Sequence, residues 1–210
     1  MDESGLRERK KRETRQRISD VATGLFVARG FDNVTVAEIA EAANVSKMTV
    51  FNYFPRKEEL YFDRGEEAAE LLHEAIHGRA PGVSMINALR ALMLRLLEMR
   101  HPLSALRDGI NQFWQVVVDS PNLQAAVREM VGQLENQLAA EFAAVTGAAP
   151  TDPMPALAGG LVITTMRTLY QHLVRRLMAG ERADDLYPEQ VALVNRTFDM
   201  LEAAIGAEFG

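Results

Sequence analysis

Apolar residues recur along this chain at three- and four-residue spacing, the period of a helix with one buried face. Ile18, Val21, Ala22, Leu25 and Phe26 mark a long amphipathic helix that stops at Gly30, a residue suited to the position just past a helix end. Thr35 then offers a hydroxyl cap, and Glu38 three residues later completes a capping box. Ile39, Ala40 and Ala43 give this next, short helix its buried stripe. Asn44 stands where the chain must reverse, because asparagine tolerates the left-handed region better than any residue except glycine. Ser46 can cap a second short helix whose Val50 and Phe54 lie four apart on the inner face. Three helices can enclose a small core of Phe26, Phe31, Ile39, Val50 and Phe54, which two could not.

Beyond Glu58 there is no strand-like alternation, phosphate loop or internal repeat, and the pattern stays helical. The expected helices run over 57–77, 84–100, 103–118, 122–146, 154–179 and 188–207. Pro81-Gly82, Pro102, Pro121, the segment 147–155, and Gly180 with Pro188 divide them. The fold class is therefore all-α with about nine helices: an N-terminal three-helix module over 1–57 and a larger helical domain over 58–210.

The second short helix carries the chemistry. Lys47, Met48, Thr49, Asn52 and Tyr53 point away from its inner face. A cation, a thioether, a hydroxyl, an amide and a phenol make a poor core but suit base edges and phosphates in a DNA major groove. The bland alternative is a solvated helical hairpin. Residues 15–62 resemble the N-terminal DNA-binding module of the TetR family of transcriptional regulators, through ARGFDNVTVAEIAEAANVS and MTVFNYFPRKEELYF. Met48 and Asn44 stand where many members have glycine, Phe51 where many have tyrosine, and Ala37 where some have a polar side chain. The resemblance implies that Lys47, Met48, Thr49, Phe51 and Asn52 face bases or nearby backbone, while Thr35, Tyr53 and Lys57 grip phosphates. It also implies double-stranded DNA as partner, read as an inverted-repeat operator by a homodimer, with repression relieved by a small hydrophobic effector. In such regulators the effector shifts the fourth helix, here expected to begin at Lys57.

Charge agrees once it is divided. The net −6 splits into +3 over residues 1–57 and −9 over 58–210. Arg7, Arg9, Lys10, Lys11, Arg12, Arg15 and Arg17 are dense enough to lie on phosphate or reach a minor groove, unless they form a solvated tail paired with Glu8 and Glu13. The acidic remainder would repel DNA, which disfavours a non-specific architectural binder. Zero cysteines exclude disulfides and a catalytic cysteine, and fit a reducing compartment. The charged N-terminus is not read as a signal peptide, and no apolar run approaches a membrane span, so a cytoplasmic protein without membrane partner is expected. There is no G-x-S-x-G elbow, and neither an enzyme activity nor a cofactor is expected.

Leu161, Thr165, Leu169, Leu173 and Leu177 form one stripe, and Val191, Val194, Phe198, Leu201 and Ile205 another. They are expected either to pair two chains in a four-helix bundle, with Gly159-Gly160 allowing close approach, or to be internal core. Met93, Leu97, Phe113, Trp114, Val117, Met130, Leu134, Met166 and Tyr170 could line an effector pocket, or be plain core. A rival class rests on Glu70-His73, Glu74-His77 and Glu98-His101, a spacing that places both side chains on one helix face as carboxylate-bridged metal enzymes require. His73 and His77, four apart, could also chelate Zn²⁺ or Ni²⁺ in a metal-sensing protein.

Overall fold

The computed structural model describes residues 3–107 and 109–209, without the side chains of residues 3, 4 and 6–8. Arg7 and Glu8 of the basic segment therefore lie outside the described side chains. The described residues form nine α-helices and no strand: α1 (Glu3–Arg29), α2 (Val36–Ala42), α3 (Lys47–Tyr53), α4 (Gly65–His77), α5 (Met85–Glu98), α6 (Ile110–Asp119), α7 (Pro121–Thr146), α8 (Met154–Met178) and α9 (Ala183–Leu201). None is long and apolar enough to cross a membrane.

They group into two compact units, one of residues 1–63 with 112–127 and one of 64–111 with 128–210. This differs from a single cut after residue 57. In the first unit α1, α2 and α3 pack around Phe26, Phe31, Ile39, Val50 and Phe54, all buried as expected. Gly30 ends α1 at φ +83° with its N–H on the Phe26 carbonyl, and Asn44 makes the α2–α3 turn at φ +53°. The same core continues through Tyr61 into Val116, Val117 and Leu123, apolar residues of α6 and α7 more than fifty positions further along.

In the second unit α5 packs against α4 and α9, and α8 against α9. Ser84 caps α5 and also donates to Glu202 Oε2 at 2.6 Å, while the rings of Phe142 and Phe209 stack 5.0 Å apart. Gly159 lets α8 approach α7 closely, since a Cβ there would stand 2.9 Å from the Ala139 nitrogen.

Several expected boundaries move. The helix placed at 57–77 is a 3-10 turn, Lys57–Leu60, and then α4. Asp63 separates them because its carboxylate accepts from Ser19 at 2.7 Å and its carbonyl from Arg15 at 3.2 Å, which ties the chain back to α1. The helix placed at 103–118 becomes a 3-10 turn, Pro102–Ser104, a left-handed Ala105, and α6. Helix α9 starts at Ala183 rather than 188 and carries Pro188 inside it. Asp184 and Asp185 in its first turn favour that earlier start, and Leu186 is buried. The last residues form a π-turn, Glu202–Gly206.

Candidate nucleic-acid interface

The first unit presents α3 on a rigid mount. Thr35 Oγ1 accepts from the Glu38 N–H at 3.3 Å, and Glu38 Oε2 accepts from the Thr35 N–H at 2.8 Å, so the capping box of α2 is complete. The Thr35 hydroxyl also donates to Glu38 Oε2 at 2.7 Å, and Arg29 pairs with Oε1 at 2.7 Å. The bonds from the Thr35 backbone and hydroxyl, then that from Arg29, hold the Glu38 carboxyl down at about 2. At the head of α3, Ser46 Oγ accepts from the Thr49 N–H at 3.0 Å. Val50 is 1% exposed and Phe54 is buried, which fixes the rotation of α3 about its axis.

That rotation leaves Lys47, Met48, Phe51 and Asn52 on one exposed arc, with Thr49 and Tyr53 half-buried at its flank. Met48 is 69% and Phe51 44% exposed, a large apolar exposure for a seven-residue helix. Apolar groups flanked by an amide and a cation are what a surface reading thymine methyls, base edges and phosphates together would carry. Tyr53 packs part of its ring against the core.

Lys57 is more constrained than the sequence implies. It opens the 3-10 turn, not α4, and its Nζ donates to the Phe31 carbonyl at 2.6 Å. The ammonium stands 4.2 Å from the Phe31 ring centroid and 5.5 Å from that of Phe26. Burial pulls it below its ordinary value, against the opposing charges of Asp32, Glu58 and Glu38. Lys57 is thus a strut beneath the α1–α2 corner as well as a surface cation.

Tyr61, which drew no functional reading from the sequence, and Arg15, expected only as part of the basic segment, complete this mount. The buried Tyr61 phenol donates to the Phe113 carbonyl at 2.7 Å, and its ring stacks on Phe113 at 4.3 Å with a 9° interplanar angle. Burial raises its pKa far above the phenol range, so it is a neutral donor at any physiological pH. Arg15, one of the basic segment, lays its guanidinium 4.5 Å over the Phe54 ring and so supports the end of α3. The basic segment is continuous α1 helix rather than a loose arm, with Arg9 beside Glu13 at 3.5 Å.

The expected effector lining is divided between the units. Phe113, Trp114 and Val117 belong with the core of the first unit. Met93 and Leu97 on α5, Met130 and Leu134 on α7, and Met166 and Tyr170 on α8 belong to the second. Leu97 is buried and the other five are half-buried. An open cleft on the α8–α9 surface, lined by His172, Arg176, Glu189, Gln190, Ala192, Leu193 and Arg196, shares no residue with that lining.

The two stripes on the last helices are mostly internal. Leu169, Leu173, Leu177, Val194, Phe198, Leu201 and Ile205 are buried within the chain, and the close approach at Gly159 is made to α7. The outward surface carries Leu157, Leu161, Thr164, Thr168 and Met178 on α8 and Met200 on α9. The Glu-x-x-His expectation also shifts: the carboxylate facing His73 and His77 is that of Glu141 on α7, and His101 Nε2 lies 3.3 Å from Glu67.

Comparison with known proteins agrees with this architecture. Residues 18–63 match the model of bacterial regulatory proteins of the tetR family, and residues 83–179 match that of the MftR C-terminal domain. The chain is 29% identical over 170 residues to the transcriptional regulator MftR of Mycobacterium tuberculosis, covering 80% of this chain and 83% of that protein. It is 28% identical over 191 residues to the transcriptional repressor KstR of Rhodococcus jostii, covering 89% and 85%. A crystal structure of a TetR-family regulator from Mesorhizobium loti superposes with a TM-score of 0.58 at 18% identity, over 91% of this chain and 96% of that one, and shares the fold. With a capped, core-anchored α3 displaying an exposed reading surface and both parts of the chain matching family models, the protein belongs to the TetR family and is a DNA-binding transcriptional regulator.

Proposed function

We propose that the protein represses transcription by binding an inverted-repeat operator as a homodimer and leaves it when a small hydrophobic effector binds. The observation that carries this reading is the exposed arc of Lys47, Met48, Phe51 and Asn52 on a helix whose opposite side, Val50 and Phe54, is buried. Asn52 and Lys47 supply hydrogen bonds to base edges, Met48 and Phe51 meet thymine methyls, and Thr49 reaches nearby backbone. Tyr53 and Lys57 contact phosphate, Lys57 through N–H groups beyond the one on Phe31. Thr35 joins them by rotating its hydroxyl so that the hydrogen bond it donates to Glu38 goes to a phosphate oxygen instead.

A two-fold dimer places two α3 helices on half-sites one or more helical turns apart, which is why a palindromic site fits. The pairing surface is the outward side of α8 and α9, with Leu157, Leu161 and Met200, because most of both stripes is already used inside the chain. The effector site is assigned to the second unit, among Met93, Leu97, Met130, Leu134, Met166 and Tyr170, where flexible thioethers and one phenol suit a mainly apolar ligand. An effector acts only if it binds the two conformations with different affinity.

Selection of the purified protein against a random duplex library at near-physiological salt tests the reading. An enriched inverted repeat, bound by two chains and released by an apolar compound, is the expected result. Absence of any enriched sequence overturns it.

A further inference from the structure

In the second unit, α4 and the part of α7 beyond residue 127 bring three metal-ligating side chains to one point. His73 and His77 lie one turn apart on α4, their ring centroids 4.3 Å apart, and Glu141 of α7 reaches between them. Glu141 Oε1 is 2.7 Å from His73 Nδ1, and Oε2 is 2.7 Å from His77 Nε2. All three potential ligand atoms fall within 4.8 Å of one another. We propose that His73, His77 and Glu141 form a binding site for a divalent transition cation of the zinc class, which bridges α4 to α7.

The chemistry of the donor set supports a specific ion. Two imidazoles and one carboxylate, with further positions left to water, suit zinc and the neighbouring borderline cations and not magnesium or calcium, which prefer oxygen ligands alone. Zinc at about 2.1 Å from each ligand sets tetrahedral ligand atoms about 3.4 Å apart, so the imidazole–carboxylate pairs, now 2.7 Å apart, must open by about 0.7 Å, and atoms at the 4.8 Å limit must close by about 1.4 Å. Both imidazoles are exposed and can turn about their side-chain torsions without disturbing the core. Glu141 is 16% exposed at its side chain and is held toward the imidazoles by both hydrogen bonds, which sets the approach direction in advance. The imidazoles are four positions apart on one helix, but Glu141 is 64 positions beyond His77, so the ion would cross-link two helices rather than decorate one. None of its three ligands lies on α3.

The test is isothermal titration of the full, untagged chain with Zn²⁺, with Ni²⁺ as a second probe, followed by thermal unfolding with and without metal. One Zn²⁺ per chain is expected, and His73→Gln, His77→Gln or Glu141→Gln should each weaken binding by at least about tenfold. Because an ion held only by the folded chain stabilises it, zinc should raise the Tm of the unaltered protein and leave that of a His73→Gln, His77→Gln double variant unmoved. Cobalt(II) should give visible ligand-field bands that the double variant lacks. Exposed histidine positions on a helix tolerate glutamine, so loss of binding with unchanged helicity reports the ligands and not the fold. Equal zinc affinity in the double variant, or no uptake at millimolar metal, overturns the proposal.

Discussion

Replacing Lys57 by methionine keeps the aliphatic stem and removes the ammonium, and the structure sets what this should cost. A hydrogen bond from a charged donor contributes about 1.5–3 kcal/mol, and here Nζ donates to the Phe31 carbonyl at 2.6 Å. Placement over the Phe31 ring at 4.2 Å adds about 0.5–1 kcal/mol at a site open to water. Lys57 is half-buried, so solvent screening argues for the lower end of both ranges, and the desolvation that pulls the ammonium below its ordinary value offsets part of the gain, leaving an expected loss of about 1 kcal/mol. With a urea slope of about 2 kcal/mol per molar, the unfolding midpoint should fall by about 0.5 M. If Lys57 also meets a phosphate, the slope of log affinity against log salt should become shallower by about one per subunit, equally for operator and unrelated DNA. The two assays separate the two roles. An unchanged urea midpoint would refute the strut, and an unchanged salt slope would refute the phosphate contact.

Asn52→Ala should leave stability unchanged, since the side chain is exposed, and should reduce discrimination between operator and mutated sites by about 1–3 kcal/mol for each base it reads; competition binding checks this, and retained preference would misplace the reading arc. Gly159→Ala should destabilise the chain by about 1–3 kcal/mol, because its Cβ would stand 2.9 Å from the Ala139 nitrogen and 3.0 Å from the Glu135 carbonyl oxygen, both backbone. Gly160→Ala next to it meets nothing within 4 Å and should be neutral or slightly stabilising in the same denaturation series. The Glu38 carboxyl titrates at about 2 in the folded chain against an ordinary 4.5, so its stabilisation is complete above the ordinary value and is lost as pH falls toward the folded one. The difference in urea midpoint between the unaltered chain and Glu38→Gln should therefore shrink as pH is lowered through that window; a constant difference would contradict the sign.

The N-terminal module was legible because its determinants are local. A hydroxyl followed three residues later by a glutamate makes a capping box in any context, and the structure shows Thr35 and Glu38 doing so. Asn44 turns through positive φ and Gly30 ends α1 for reasons held in one residue's backbone freedom. The outward arc of α3 followed from the inward pair Val50 and Phe54, because helical geometry links one side to the other.

The rest depended on contacts between residues far apart in the chain. Apolar periodicity states that a stripe is buried but not against what. Hence Leu169, Leu173 and Phe198, which also suited a dimer seam, are core, and Phe113, Trp114 and Val117 belong to the core that holds Tyr61. Gly159 marked a close approach, yet only packing identified α7 as the helix approached. Lys57 could be seen as a cation but not as one folded onto the Phe31 carbonyl. Glutamates three residues before each histidine were the visible metal signal, whereas the carboxylate that meets His73 and His77 comes from Glu141, on another helix. Sequence alone determined the helical class, the caps and turns of the reading head and the surface it exposes, since each follows from interactions within a few residues. Tertiary structure alone decided which stripes meet, where the two units divide and which side chains converge, since those contacts are chosen by the burial of the whole chain at once.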